Sequence, residues 1–187
     1  MLLRKSIGEI NKSLSGIFQG LKTYGLAQTA YRQSGDQQER FPQVVDLDGE
    51  GKYVGIDDTE SVIVYHRITG LTTGRTNRQG YGDGHSDLIN TYQMAMVVFH
   101  DQKKTKMFPE ELFLFLQANF PEEIKSDPYK NIFIRTTTVN LNSQQIFSAE
   151  YAGTTFFLPA EKSLFQINYT IESTFKKDCF AKCPEDC

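Results

Sequence analysis

Residues 163 to 175 read SLFQINYTIESTF, and no other stretch limits the possible folds as tightly. Phe165, Ile167, Tyr169, Ile171 and Phe175 fall on one side of an extended chain, with Gln166, Asn168, Thr170 and Glu172 on the other. Successive side chains of a strand point to opposite faces. This period of two therefore predicts a strand with its aromatic and aliphatic set on a core, and its polar set toward solvent or an aqueous channel. Such a strand needs neighbours along its edges and a layer over its apolar face.

Other segments supply both. SVIVYHRI (61–68) and NTYQMAMVVFH (90–100) read as strands of one hairpin with an extended tip. NIFIRTTTVNL (131–141) reads as a further strand, and a turn at Asn142 and Ser143 leads into another at 145–151. Short strands are expected near 43–47 and 52–56. A helix is expected over residues 5–32, because Leu14, Ile17, Phe18 and Leu21 share a helical face. Gly16, Gly20 and Gly25 weaken it, each by up to about 1 kcal/mol relative to alanine. The polar turn GDQQERFP (35–42) is expected to close it.

A second helix starts at Phe108-Pro109-Glu110-Glu111, with proline in the first turn and acids at the positive end of the helix dipole. Its run LFLFLQANF is apolar on most faces and calls for cover on more than one side. The order of elements predicts an α+β fold: an antiparallel or mixed β-sheet with an N-terminal and a central helix packed on one face. A single domain is expected over 1–178, with a cysteine-containing tail at 179–187.

A chain of 187 residues is long enough to bury roughly 70% of its unfolded surface, so it needs no metal or disulfide staple. Its net charge of −3 argues against indiscriminate nucleic-acid binding. No apolar run approaches membrane-spanning length, and MLLRKSIGEINKS lacks the apolar centre of a signal peptide, so a soluble protein made in a reducing cytoplasm is expected. Cys179, Cys183 and Cys187 lie together at the end of the chain and cannot cross-link the body of the fold. Their spacing leaves a frayed tail, a metal contact or intersubunit bonds open, with Pro184 interrupting any helix through all three.

Candidate chemistry is sparse. Asp46-Leu47-Asp48-Gly49-Glu50-Gly51-Lys52 and Asp57 follow the spacing of a calcium loop. Asp stands at the twelfth position where the longer Glu is usual, and no flanking helix pair is evident, so an acidic turn competes with the cation site. Asp83-Gly84-His85-Ser86-Asp87 carries metal-ligating types, with His66 available to complete a set, and is equally the composition of a turning loop. Adjacent Ser, His and Asp make an awkward triad, and neither GxSxG, GxxxxGK[ST] nor GxGxxG occurs. No cofactor is expected. The irregular stretch TGLTTGRTNRQGYGDGHSD (69–87) exceeds ordinary connection lengths and is the prime interaction candidate. Acidic residues crowd 36–60, whereas 61–82 hold Arg67, Arg75 and Arg78 and no acid, and Lys103, Lys104 and Lys106 form a second basic cluster. Separated charges of this kind suit head-to-tail docking.

In order and type, the N-terminal helix, VIVYHRI with its extended loop, MAMVVFH, FPEELFLFL and SLFQINYTIESTF resemble the tail-terminator and tail-completion (head-to-tail connector ring) proteins of tailed bacteriophages across residues 5–175. The strands at 43–56, the glycine-rich excursion and the cysteine tail depart from the smallest members. The resemblance implies a non-enzymatic virion subunit, assembled in the bacterial host cytoplasm. It would form a homo-oligomeric ring, hexameric or higher, that binds neighbouring tail or connector proteins around a DNA channel. On that reading the loop 69–87 reaches a neighbour or the channel through Arg67, Arg75, Arg78, Tyr81 and His85, with Lys103, Lys104 and Lys106 as a further contact patch. A protein- or carbohydrate-binding module using the same loop, or a metal-dependent hydrolase using Asp83 or His85, are the competing readings.

Overall fold

The computed structural model describes residues 2–17, 19–45, 50–54, 59–76, 87–124, 132–152 and 158–176. The N-terminal helix α1 (Leu2–Leu14) buries Leu2, Ile7, Ile10 and Leu14 along one stripe. It stops well short of residue 32. Gly16 takes φ +82 and Gly20 φ +81, left-handed conformations that glycine adopts at little cost and that break a helix. At Gly20 a Cβ would also meet Ser61 Oγ at 2.1 Å. Beyond this break, residues expected to be helical form strand β1 (Leu21–Ser34). The spacing of Leu14, Ile17 and Leu21 runs across the turn and imitates a helix stripe, while Thr23, Tyr24, Thr29 and Tyr31 prefer strands.

The expected polar turn at 35–42 is likewise mostly strand. β1 and β2 (Gln37–Val45) pair antiparallel through the two-residue turn Gly35-Asp36, Gly35 taking the φ of +60 that a type II′ hairpin turn needs. Polar character misled here because Arg32 and Glu39 face each other across the ladder as an ion pair. A short third strand, β3 (Gly51–Tyr53), adds to β2.

The centre of the sheet is three 15-residue strands, β4 (Val62–Thr76), β5 (Asp87–Asp101) and β8 (Lys162–Lys176). Between them in sequence come α2 (Gln102–Thr105), α3 (Pro109–Ala118), β6 (Glu123–Ile124), β7 (Ile132–Asn140) and α4 (Ser143–Glu150). The eight strands run in the order β3-β2-β1-β4-β5-β8-β7-β6. All neighbours are antiparallel except β1 and β4, so the sheet is mixed.

Of residues 145–151, expected as a strand, 145–150 belong to α4 and Tyr151 is its extended C-cap. The Asn142 side chain caps α4 by accepting from Gln145 N at 3.1 Å. Helix α3 begins as expected at Pro109, with Glu111 accepting from Phe108 N at 2.8 Å.

Helices α1 and α3 cover one face of the sheet. Their buried residues meet Val62 and Val64 of β4, Met94, Met96 and Val98 of β5, Phe165, Ile167, Tyr169 and Ile171 of β8, and Ile132 and Ile134 of β7. The other face carries a smaller core, in which Ile146, Phe147 and Tyr151 close over Ile63, Tyr65, Val97, Phe99 and Leu164. The polar set of β8, Gln166, Asn168, Thr170 and Glu172, lies on this second face beyond that core and stays partly accessible.

Candidate interaction surfaces

The excursion 69–87 is shorter than its sequence suggests. Residues 69–76 continue β4 and Asp87 opens β5, in register down to Thr76↔Asp87. Threonine pairs such as Thr72↔Thr91 hold a ladder without apolar alternation, which is why periodicity overlooked it. Residues 77–86 lie outside the described residues.

Strand β1 accompanies β4 only as far as Leu26↔His66. A bulge at Thr69 follows, and among the described residues β4 then pairs with β5 alone from Ile68 to Thr76. The result is a ribbon with one open edge, along which Ile68 is 46% and Leu71 55% exposed. A second open edge lies across the sheet. β6 covers β7 only at Ile132 and Phe133, and Ile134 N donates to Glu122 O at 2.9 Å. From Arg135 onward no described strand pairs with the outer side of β7. A cleft of ≈ 440 Å³ opens where the chain diverges, between Gln117–Glu122 and Phe133–Thr136.

Helix α3 gives a third surface. Leu112 and Leu116 are buried, yet Leu114 is 61% exposed and Phe108, just before the helix, 67%. The cover on further sides that its sequence calls for is not supplied by the described residues.

The expected contact residues separate. Arg67 sits on β4, turned inward: its Nε donates to Glu150 Oε2 at 2.6 Å and its NH1 to Thr29 Oγ1 at 3.0 Å. Tyr65 donates to the same Glu150 oxygen at 2.9 Å, and Glu150 is buried. Arg67 therefore fastens α4 to the sheet, a role its place beside a polar loop did not suggest. The Arg75 side chain and all of Arg78, Tyr81 and His85 lie outside the described residues. Lys103, Lys104 and Lys106 stand at the opposite end of the sheet from the ribbon tip, exposed. Lys103 pairs with Glu161 at 3.4 Å, and Lys104 Nζ donates to Glu60 O at 3.4 Å.

His66, the residue held available for a metal, is fully buried between α1 and the sheet. Asn11 Nδ2 donates to Tyr24 O at 2.9 Å, which orients the amide so that its oxygen accepts from His66 Nε2–H at 2.9 Å. Nδ1 is then the acceptor for the Tyr169 hydroxyl at 2.8 Å. Both ring nitrogens are occupied, and burial pushes the imidazole down to about 3. Among the described residues no cluster of three or more His, Cys, Asp or Glu side chains is placed to hold a metal ion. Most of the Asp46–Asp57 loop, together with Asp83, His85 and the three cysteines, lies outside them.

A second buried histidine, unnoticed in the sequence, makes the contact closest to a catalytic dyad. Ser163 Oγ lies 3.2 Å from His100 Nδ1, and His100 Nε2 lies 2.6 Å from Thr105 Oγ1, whose own hydroxyl donates to Asp101 O. Burial lowers His100 to about 4, so it is a weak base at neutral pH. The arrangement satisfies a buried imidazole at the end of β5.

Both histidines are held neutral in the fold and titrate near 6.5 when unfolded. The unfolded chain thus binds more protons between about 4 and 6.5, and stability falls as pH drops through that window and is full above it. His66 alone contributes about 1.4 kcal/mol per pH unit. Urea midpoints should be level above pH 7 and fall steadily from 6.5 to 4.5, less steeply in His66→Gln; a flat profile in the parent would contradict the buried neutral pair.

No helix among the described residues is long and apolar enough to cross a membrane. The chain is thus an α+β protein built on an eight-strand mixed sheet with an N-terminal helix and further helices packed on it. No protein-family model matches the sequence, and no curated protein is significantly similar to it.

Proposed function

We propose that this chain is a non-enzymatic structural subunit that assembles with its own copies and with neighbouring proteins, as a head-to-tail connector or tail-terminating ring of a virion does. The reading is carried by apolar surface left uncovered in one copy: Phe108 and Leu114 about α3, and Ile68 and Leu71 on the ribbon. Large exposed apolar patches usually mark contact surfaces, and these side chains are the ones placed to contribute to one. The polar face of the sheet agrees with it. Gln166 donates to Asn168 at 2.6 Å and Asn168 to Thr138 at 2.9 Å, an amide and hydroxyl lining suited to a water-filled channel through which DNA could pass without being gripped. Ring number and partners follow from the resemblance in order and type of elements alone.

The test is the mass of the purified chain in solution across a dilution series, with particle averaging by electron microscopy. A defined closed oligomer is expected, formed alone or on mixing with a partner ring. A chain that stays monomeric at every concentration and with every neighbouring virion protein offered would refute the reading.

A further inference from the structure

We propose that copies of this chain join by strand pairing, the open edge of β4 in one copy lying antiparallel to the open edge of β7 in the next. The joint rests on the self-assembly reading above and specifies its chemistry. An open strand edge presents a row of unsatisfied backbone N–H and C=O groups, so the partner that fits it is another strand. Among the described residues, the open edges of this sheet include Ile68–Thr76 on one side and residues 135–140 on the other.

Three observations favour these edges as each other's partners. First, neither is heavily guarded by charge: each edge carries a single arginine, Arg75 near the tip of β4 and Arg135 where the open part of β7 begins, and Ile68 to Gly74 and Thr136 to Asn142 contain no Lys, Arg, Asp, Glu or Pro. Edge strands that must stay single usually carry more such residues along their length. Second, each edge presents exposed aliphatic side chains for the other to cover, Ile68 and Leu71 on β4, Val139 and Leu141 at and just beyond the end of β7.

Third, strand direction is correct. β4, β5, β8 and β7 alternate, so β7 runs opposite to β4. Copies related by rotation about an axis along the strands would therefore meet as an antiparallel pair, the more stable kind. A symmetric β4–β4 contact is less favourable because it leaves the β7 edge open. Because the two surfaces differ, the contact repeats from copy to copy and must close into a ring or extend as a filament.

Two substitutions at exposed positions test the joint, Leu71→Lys on the β4 edge and Val139→Lys on the β7 edge. Each variant should melt like the parent, and each alone should sediment as a monomer under conditions where the parent assembles. Mixed together, they should form a dimer and nothing larger, because one copy keeps a sound β7 edge and the other a sound β4 edge. If either variant assembles like the parent, or the mixture stays monomeric while the parent assembles, the edge joint is wrong and the structural-subunit reading stands. If the parent itself never assembles, both fall. Hydrogen exchange provides a check independent of substitution: amides within 70–76 and 136–140 should gain protection when parent monomers assemble, and unchanged exchange there would overturn the proposal.

Discussion

Phe165→Asp is expected to yield a chain without a cooperative unfolding transition. Phe165 has no accessible surface, lies opposite Val98 on β5, and faces the core beneath α1 and α3. Removing a buried phenylalanine ring costs about 3–5 kcal/mol through lost burial and the cavity left behind. The aspartate adds a buried carboxylate with no cation in the surrounding cluster of apolar side chains, a penalty of several kcal/mol or a forced protonation. Together these fall within the roughly 5–15 kcal/mol that typically holds a domain of this size folded, enough to remove most or all of it. Circular dichroism during urea titration reads the outcome, with Phe165→Leu as the volume control, expected to lose about 1–1.5 kcal/mol. An aspartate variant with the parent's transition would show that β8 faces the other way.

The second large effect belongs to Glu150. Its carboxylate receives Tyr65 and two nitrogens of Arg67, all where solvent access is slight. Glu150→Ala leaves a guanidinium in a largely buried site without its counter-ion and a tyrosine hydroxyl without its acceptor. Breaking one partner of such a pair costs about 3–5 kcal/mol. The double variant Arg67→Met with Glu150→Met should recover much of that loss, because the desolvation penalty disappears along with the attraction. Thermal and urea melts of the two single variants and the double form a cycle, and additive losses would deny the coupling. α4 should be the first element affected, since this pair and the packing of Ile146 and Phe147 hold it to the sheet.

These two sites also mark how far the sequence could be read. Phe165 was legible because alternation on β8 is a local signal: backbone geometry forces neighbouring side chains to opposite faces whatever the rest of the chain does. Helix α3 was legible for the same reason, through its proline and acids at the start. Glu150 was not. Its partners lie 83 and 85 residues away, and the segment around it, read from sequence as a strand, is a helix capped by Asn142. The break at Gly16 and Gly20 was visible as residues, but whether glycine interrupts a helix or sits within one depends on what packs beside it. Here Ser61 occupies the space a side chain at Gly20 would need.

Of the candidate interface, the sequence pointed to the β4–β5 excursion but misjudged its nature. A run of threonine and glycine reads as loop because it has no apolar face, and pairing with β5 turns it into ribbon. The open edge of β7 had no sequence signal, since an edge is defined by the strand that is missing beside it.

Taken alone, the sequence determined the class of fold, the start of α3 and the core face of the last strand, all properties carried by residues close together along the chain. Only the tertiary structure decided where α1 ends, which face α4 covers, that Arg67 and His66 spend their polar groups inward, and which strand edges stay open. Those outcomes depend on contacts between residues far apart in sequence, and their energies exist only once the chain has closed on itself.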